Sequence, residues 1–219
     1  MSKNQNKAER KMTTLNKLIG SLLLLTFFLA LACEQKSPYE RLLEAELASG
    51  ERYDSLFLGL RFGMTSKEFF TACWDLNKQG LVRQGTRNAT VVYDVSEELP
   101  HAAKMDFYPR FYEDRIVEMP AVFRYDGWSP WNRHLWADSL QLDVVKLLED
   151  WHGDGFIRAD HPELGSAYVK VDGNRRIAVT ALDDQLVQVT YTDLSVELPE
   201  PQPRPVQPVK EEEQGRSTD

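Results

Sequence analysis

Residues 166–192, Ser166-Ala-Tyr-Val-Lys-Val171-Asp172-Gly173-Asn174-Arg175-Arg-Ile-Ala-Val-Thr-Ala-Leu182-Asp183-Asp184-Gln-Leu186-Val-Gln-Val-Thr-Tyr-Thr192, decide the fold. Three runs rich in Val, Ile, Thr and Tyr are separated by Asp-Gly-Asn and Asp-Asp, residues that tolerate the backbone of a tight turn. The spacing therefore predicts an antiparallel meander of strands 166–171, 175–182 and 186–192. Upstream lies a helical pattern from Asp138 to Trp151, with Leu140, Val144, Leu147, Leu148 and Trp151 on one face and Gly153 as terminator.

The same order recurs earlier in the chain. Thr65 and Glu68 have the spacing of a capping box, Met64 and Phe69 that of a hydrophobic staple, and Gly80 ends the helix that should follow. Strand-like stretches come next at 89–95, 102–108 and 115–125. In the last, Val117, Met119, Ala121, Phe123 and Tyr125 alternate onto one face, while Pro120 suggests an edge strand or a bulge. A first short helix is marked by Ser37-Pro38-Tyr39-Glu40, with an apolar stripe of Tyr39, Leu42, Leu43 and Leu47 ending at Gly50. Leu56-Phe57-Leu58-Gly59-Leu60 reads as a strand. The expectation is an α+β fold, an antiparallel sheet or sheets packed by two to three short helices. Its order suggests two tandem units of one helix and three strands.

The N-terminus is an address. Leu18–Ala32 is an uncharged run of fifteen residues preceded by Lys3, Lys7, Arg10, Lys11 and Lys17, the layout of a secretory signal. It is short of the roughly 20 residues that a bilayer span needs. Leu29-Ala30-Leu31-Ala32-Cys33 resembles the lipobox of bacterial lipoproteins, with Ala30 where Leu is usual. That resemblance implies cleavage before Cys33 and a lipid attached to it. Two acyl chains give stable membrane attachment where one gives marginal binding. Met12 is a second candidate start. The expected organisation is a signal at 1–32, a lipidated N-terminus at 33–37, one α+β domain over 38–198, and a Pro-rich acidic tail at 199–219.

Of 219 residues 42% are hydrophobic and 27% charged, ordinary globular composition, and the formal net charge is −8. Without residues 1–32 there remain 21 basic and 33 acidic residues, a net −12 that disfavours binding to nucleic-acid phosphates. With Cys33 lipidated only Cys73 is left, so no intrachain disulfide can form. Its place beside Phe69, Phe70 and Leu76 in a helical pattern reads as a buried small hydrophobe.

Gly63-Met64-Thr65…Glu68 resembles the Gly-Met-Thr helix onset of small envelope lipoproteins of the outer-membrane-assembly accessory type, and of the β-lactamase-inhibitor-protein-like fold. The resemblance implies short helices on an antiparallel sheet and a function in binding other proteins. Residues 56–77 also look like lipoproteins without an assigned activity. No functional residue carries over from either.

Three groups of side chains are candidates for chemistry. His152, Asp154, Asp160, His161 and Glu163 combine imidazole and carboxylate, the ligand types of zinc, in a loop that equally reads as solvated surface, with His152 complementing the end of its helix. Tyr125, Trp128, Trp131, His134 and Trp136 form an aromatic segment suited to stacking on a sugar or anchoring a protein, or to packing under the next helix. Within it Trp131 is expected to be buried and Trp128 at least half exposed. Asp54-Ser55-Leu56 and Asp138-Ser139-Leu140 match a bacterial O-glycosylation acceptor, although Asp138 also suits a helix cap. No nucleophile elbow, paired-His zinc motif or phosphate loop occurs, and no cofactor is expected. The sequence thus favours a lipid-anchored binding or scaffold module of the cell envelope, its partners the membrane and an envelope protein or glycan. An envelope hydrolase or metal-dependent enzyme using the 152–163 loop is the alternative, and a glycan-contacting surface protein the third.

Overall fold

The structure, a computed structural model, describes residues 36–85, 90–161 and 165–197; side chains at 160 and 161 are outside that description. The signal, Cys33, Glu163 and the tail from 199 lie outside the described residues. The chain divides into two units, residues 1–45 and 46–219. Helix α1 (Pro38–Ser49) begins as expected: Ser37 Oγ accepts from Glu40 N at 3.1 Å, and the Glu40 carboxylate accepts from Ser37 N at 2.6 Å.

The fold of the second unit is α+β. After α2 (Ser66–Lys78) come β1 (Val82–Gln84), β2 (Val91–Asp94), β3 (Ala103–Phe107), β4 (Arg110–Tyr112) and β5 (Arg115–Tyr125). After α3 (Ala137–His152) come β6 (Ile157–His161), β7 (Gly165–Asp172), β8 (Arg175–Ala181) and β9 (Leu186–Asp193). Five and four strands follow the two helices where the sequence reading had three each. All are antiparallel and join in one sheet of order β1-β2-β3-β5-β9-β8-β7-β6, with β4 beside β5. The last strands of the two runs, β5 and β9, pair at the centre.

One sheet face carries the core. Met119, Ala121, Phe123, Ile177, Val179, Val187, Val189 and Tyr191 alternate onto it and meet Leu140, Val144, Leu147 and Leu148 of α3. That face is why α3 has its 3.6-residue apolar stripe.

Three corrections concern local structure. Leu56–Leu60 is a reversal, closed by a bridge between Ser55 and Arg61, and not a strand. Leu58 and Gly59 have φ of 52° and 77°, so the chain turns back and plugs Leu56, Phe57 and Leu60 into the core. Phe57 meets Phe107 edge-on at 4.9 Å. Pro120 sits in the central strand β5, not on an edge. Its carbonyl accepts from Tyr108 N, and a strand residue's N and O point the same way, so the missing donor faces the junction where β3 gives way to β4. The register of β4 on β5 shifts at that place, between Arg110 and Phe111. Asp138 does not cap α3: the cap is Trp136, whose carbonyl accepts from Leu140 N, and Asp138 accepts from Ser139 N.

Helix α2 follows its sequence signals closely. Thr65 Oγ1 accepts from Glu68 N at 3.2 Å and the Glu68 carboxylate accepts from Thr65 N at 2.8 Å. At the other end Gly80, φ 75°, donates to Asn77 O while Leu81 N donates to Leu76 O, a Schellman closure. Thr65→Ala removes one acceptor from the helix start and is expected to lower unfolding free energy by about 1 kcal/mol. Equilibrium urea denaturation measures this, and an unchanged midpoint would discount the cap.

Candidate functional site

Of the sequence-predicted metal ligands only His152 and Asp154 have described side chains; Glu163 and the side chains of Asp160 and His161 lie outside the described residues. His152 ends α3 with its ring turned inward, Asp154 is exposed in the following turn, and Asp160 and His161 belong to β6. Among the described residues no three His, Cys, Asp or Glu side chains are grouped to hold a metal ion. His152 is also no cation at its helix end. Arg175 Nη1 lies 3.2 Å from His152 Nδ1, and a guanidinium only donates, so Nδ1 must be bare and the proton sits on Nε2, 3.2 Å from Tyr191 Oη. Burial, with Arg175 beside it, pushes the His152 pKa down to about 4.

That contact is one part of a buried polar cluster at the tip of the β7–β8 hairpin. Arg175 is 3% exposed. Its Nη1 donates to Ser55 O at 2.6 Å and to Ser55 Oγ at 3.1 Å, and its Nη2 to Asp172 Oδ2 at 2.7 Å. The other Asp172 oxygen pairs with Lys170. Beside them Asn174 Oδ1 accepts from Tyr53 N at 2.7 Å, and Asn174 Nδ2 donates to Asp193 Oδ1 at 3.0 Å. Arg52 joins Asp54 at 2.8 Å. The two-residue turn Gly173-Asn174 makes this cluster, because it aims the consecutive side chains of Asn174 and Arg175 at the incoming segment 51–55 and the Gly173 amide at Glu46. Chemically the cluster is a clasp. Its charges are matched at close range and its imidazole is held neutral in one tautomer, so it offers no proton relay at neutral pH.

Because His152 stays neutral when folded and charges near its ordinary value when unfolded, the unfolded chain binds the extra proton in between. Stability due to this group is therefore complete above about pH 6.5 and falls as the pH drops toward 4, by about 1–2 kcal/mol between pH 6.5 and 5. Denaturation midpoints of the protein and of His152→Asn across that range measure it. Equal slopes would show that the imidazole is not the group responsible.

Above the clasp lies a cleft of about 500 Å³ walled by the 54–61 reversal, Tyr93, Glu98, Trp151 and His152. Glu98 is already engaged, accepting from Tyr93 Oη at 2.6 Å and from Trp151 Nε1 at 2.9 Å. Burial and the Glu98 carboxylate push the Tyr93 pKa up to about 12.

The aromatic segment 125–136 is placed opposite to expectation. Trp131 is 86% exposed. Trp128 is more than half buried, its Nε1 donating to Asp184 O at 3.1 Å and its ring 6.4 Å from that of Trp136. Trp136 Nε1 donates to Ser129 O, and Arg133 stacks on the Trp136 ring at 4.0 Å. The loop thus closes on Trp128 and Trp136, and Trp131, at its tip, has nothing to fold under.

A second aromatic surface was not anticipated. A groove of about 460 Å³ runs between α2 and the β1 end of the sheet, lined by Phe70, Cys73, Trp74, Val82, Arg83 and Tyr108 among others. Phe70 is 53% and Trp74 63% exposed. The signal was present: Phe70 and Trp74, four residues apart, form a second apolar ridge one step round the helix from Phe69, Cys73 and Leu76. Cys73 is half-buried, not buried, and desolvation pushes its thiol up to about 11, away from thiolate chemistry.

Among the described residues no helix is long and apolar enough to cross a membrane. No family model, curated protein or solved structure matches the chain.

Proposed function

We propose that this chain is a lipid-tethered binding module of the bacterial cell envelope, held at the outer membrane through Cys33 and working by contact rather than catalysis. The observation that carries the binding reading is the Phe70–Trp74–Tyr108 groove, where large rings stay in water beside a well-packed core. Rings of this kind dominate binding energy because they bury much area at little cost in conformational entropy. The exposed Trp131 gives a second anchor on the same module. An enzyme reading finds less support, since the His152 imidazole is held neutral and committed to Arg175 and Tyr191.

Two changes test the two halves of the proposal. Cys33→Ser should leave the protein uncleaved or released from the membrane and without acyl chains; normal fractionation with an unchanged lipid label would refute the tether. Phe70→Ser with Trp74→Ser should remove whatever the detergent-solubilised protein captures from the envelope while leaving its melting temperature close to that of the parent. Capture that survives this pair unchanged would refute the groove as binding surface.

A further inference from the structure

We propose that the occupant of the Phe70–Trp74–Tyr108 groove is the chain's own tail, docked through Pro205-Val206-Gln207-Pro208-Val209 as an extended polyproline segment; the inference rests on reading this groove as the binding surface. Proline-rich segments are recognised by grooves of exposed aromatic rings, because their conformation is fixed before binding and little entropy is lost. Such grooves hold the segment by ring faces and by polar ring edges that donate to its carbonyls.

The groove has both features. Trp128, Trp136 and Trp151 each spend their N–H on a neighbour, whereas Trp74 Nε1 and Tyr108 Oη have no hydrogen-bond partner among the described residues. Their polar edges are therefore available where their rings are exposed. Charge agrees weakly: Arg83 lines the groove and Lys78, 3.4 Å from Asp75, lies 5.5 Å over the Trp74 ring, while Arg204 and Lys210 flank the proline segment and Glu211, Glu212 and Glu213 follow it, a net −1 over residues 204–213.

Reach agrees in turn. β9 ends four residues, about 13 Å, past the groove: Gln84 lies opposite Val91, Val91 opposite Phe107, Phe107 opposite Ala121 and Ala121 opposite Val189, with Asp193 four residues on. Across the sheet to β1 are four strand spacings, about 19 Å, so the straight path from the end of β9 to the far side of the groove is about 23 Å. The chain is fixed by Leu194 N donating to Asn174 O and is described as far as Glu197. Leu198–Arg204, at the polyproline rise, covers about 22 Å, which brings Pro205 to the groove. A tether this short gives an effective concentration near the millimolar range, so a contact with a Kd of about 100 µM would be closed about nine-tenths of the time. The tail then competes with any partner for the same rings.

The test uses the full-length chain in detergent and reads acrylamide quenching of Trp74, obtained by difference from a Trp74→Phe counterpart. The parent should show Trp74 shielded, and Pro205→Ser with Pro208→Ser should release it to the accessibility that its exposure implies, at every protein concentration. Equal quenching in parent and proline variant would overturn the proposal. Shielding that disappears on dilution would overturn it too, because the tail would then come from a second copy. No partner enters this measurement, so its failure and the failure of envelope capture are separately visible.

Discussion

Replacing Arg175 by alanine is expected to lower the unfolding free energy by about 3 kcal/mol or more, the largest effect of any single change to the polar cluster. The guanidinium is buried with its two terminal nitrogens engaged on Asp172, on both oxygens of Ser55 and on His152 Nδ1. Truncation leaves those acceptors in a site that water reaches poorly, and leaves a cavity of side-chain size. Lys170 still pairs with Asp172, which keeps the loss below that of a fully orphaned charge. Arg175→Lys should recover only part of the stability, since an ammonium cannot span three partners with a planar fork. In Arg175→Ala the His152 pKa should rise toward its ordinary value as the neighbouring cation is removed, which an NMR titration of the imidazole reads directly. A denaturation midpoint within error of the parent, or an unmoved imidazole, would refute the clasp.

Gly173→Ala should cost about 2–4 kcal/mol for a different reason. Gly173 has φ of 51°, and a Cβ built there would lie 2.2 Å from the carbonyl oxygen of Glu51. The obstacle is backbone, not the yielding end of a side chain, so segment 51–53 would have to move off the hairpin tip. Moving it breaks the bond from Tyr53 N to Asn174 and loosens the entry to the Leu56–Leu60 plug. Chemical denaturation measures the loss. Asn174→Ala beside it removes the side-chain bonds but adds no clash, so a Gly173→Ala effect no larger than that of Asn174→Ala would show that the close approach is relaxed in solution.

Much of the fold is legible in the sequence because it is local. The meander 166–192, the strand at 115–125, the capping box of Thr65 and Glu68 and the glycine at 80 each state their conformation within a few residues. Periodicity of two or 3.6 with a turn or cap at each end decides the element, and the α+β class follows from their order. The three-residue strands β1 and β4 are too short to show a period, and β6 lay in a loop read as a ligand set. Leu56–Leu60 misled because an unbroken apolar run fits a buried reversal as well as a strand, and only the positive φ of Leu58 and Gly59 separates them.

The sites depended on what the tertiary structure brought together. His152 and Arg175 are 23 residues apart, Arg175 and Ser55 are 120, and no spacing rule predicts that a hairpin tip will close on the segment before α2. Which rings are buried was likewise a matter of neighbours: Trp128 found Asp184 and Trp136, while Trp131 of the same pentapeptide found nothing. Among the described residues nothing covers Trp74, because the sheet ends at β1 beside the outer ridge of α2. Turn, cap and period are properties of a few adjacent residues and are written in the chain; contact between distant segments depends on the whole packing, and that only the folded structure decides.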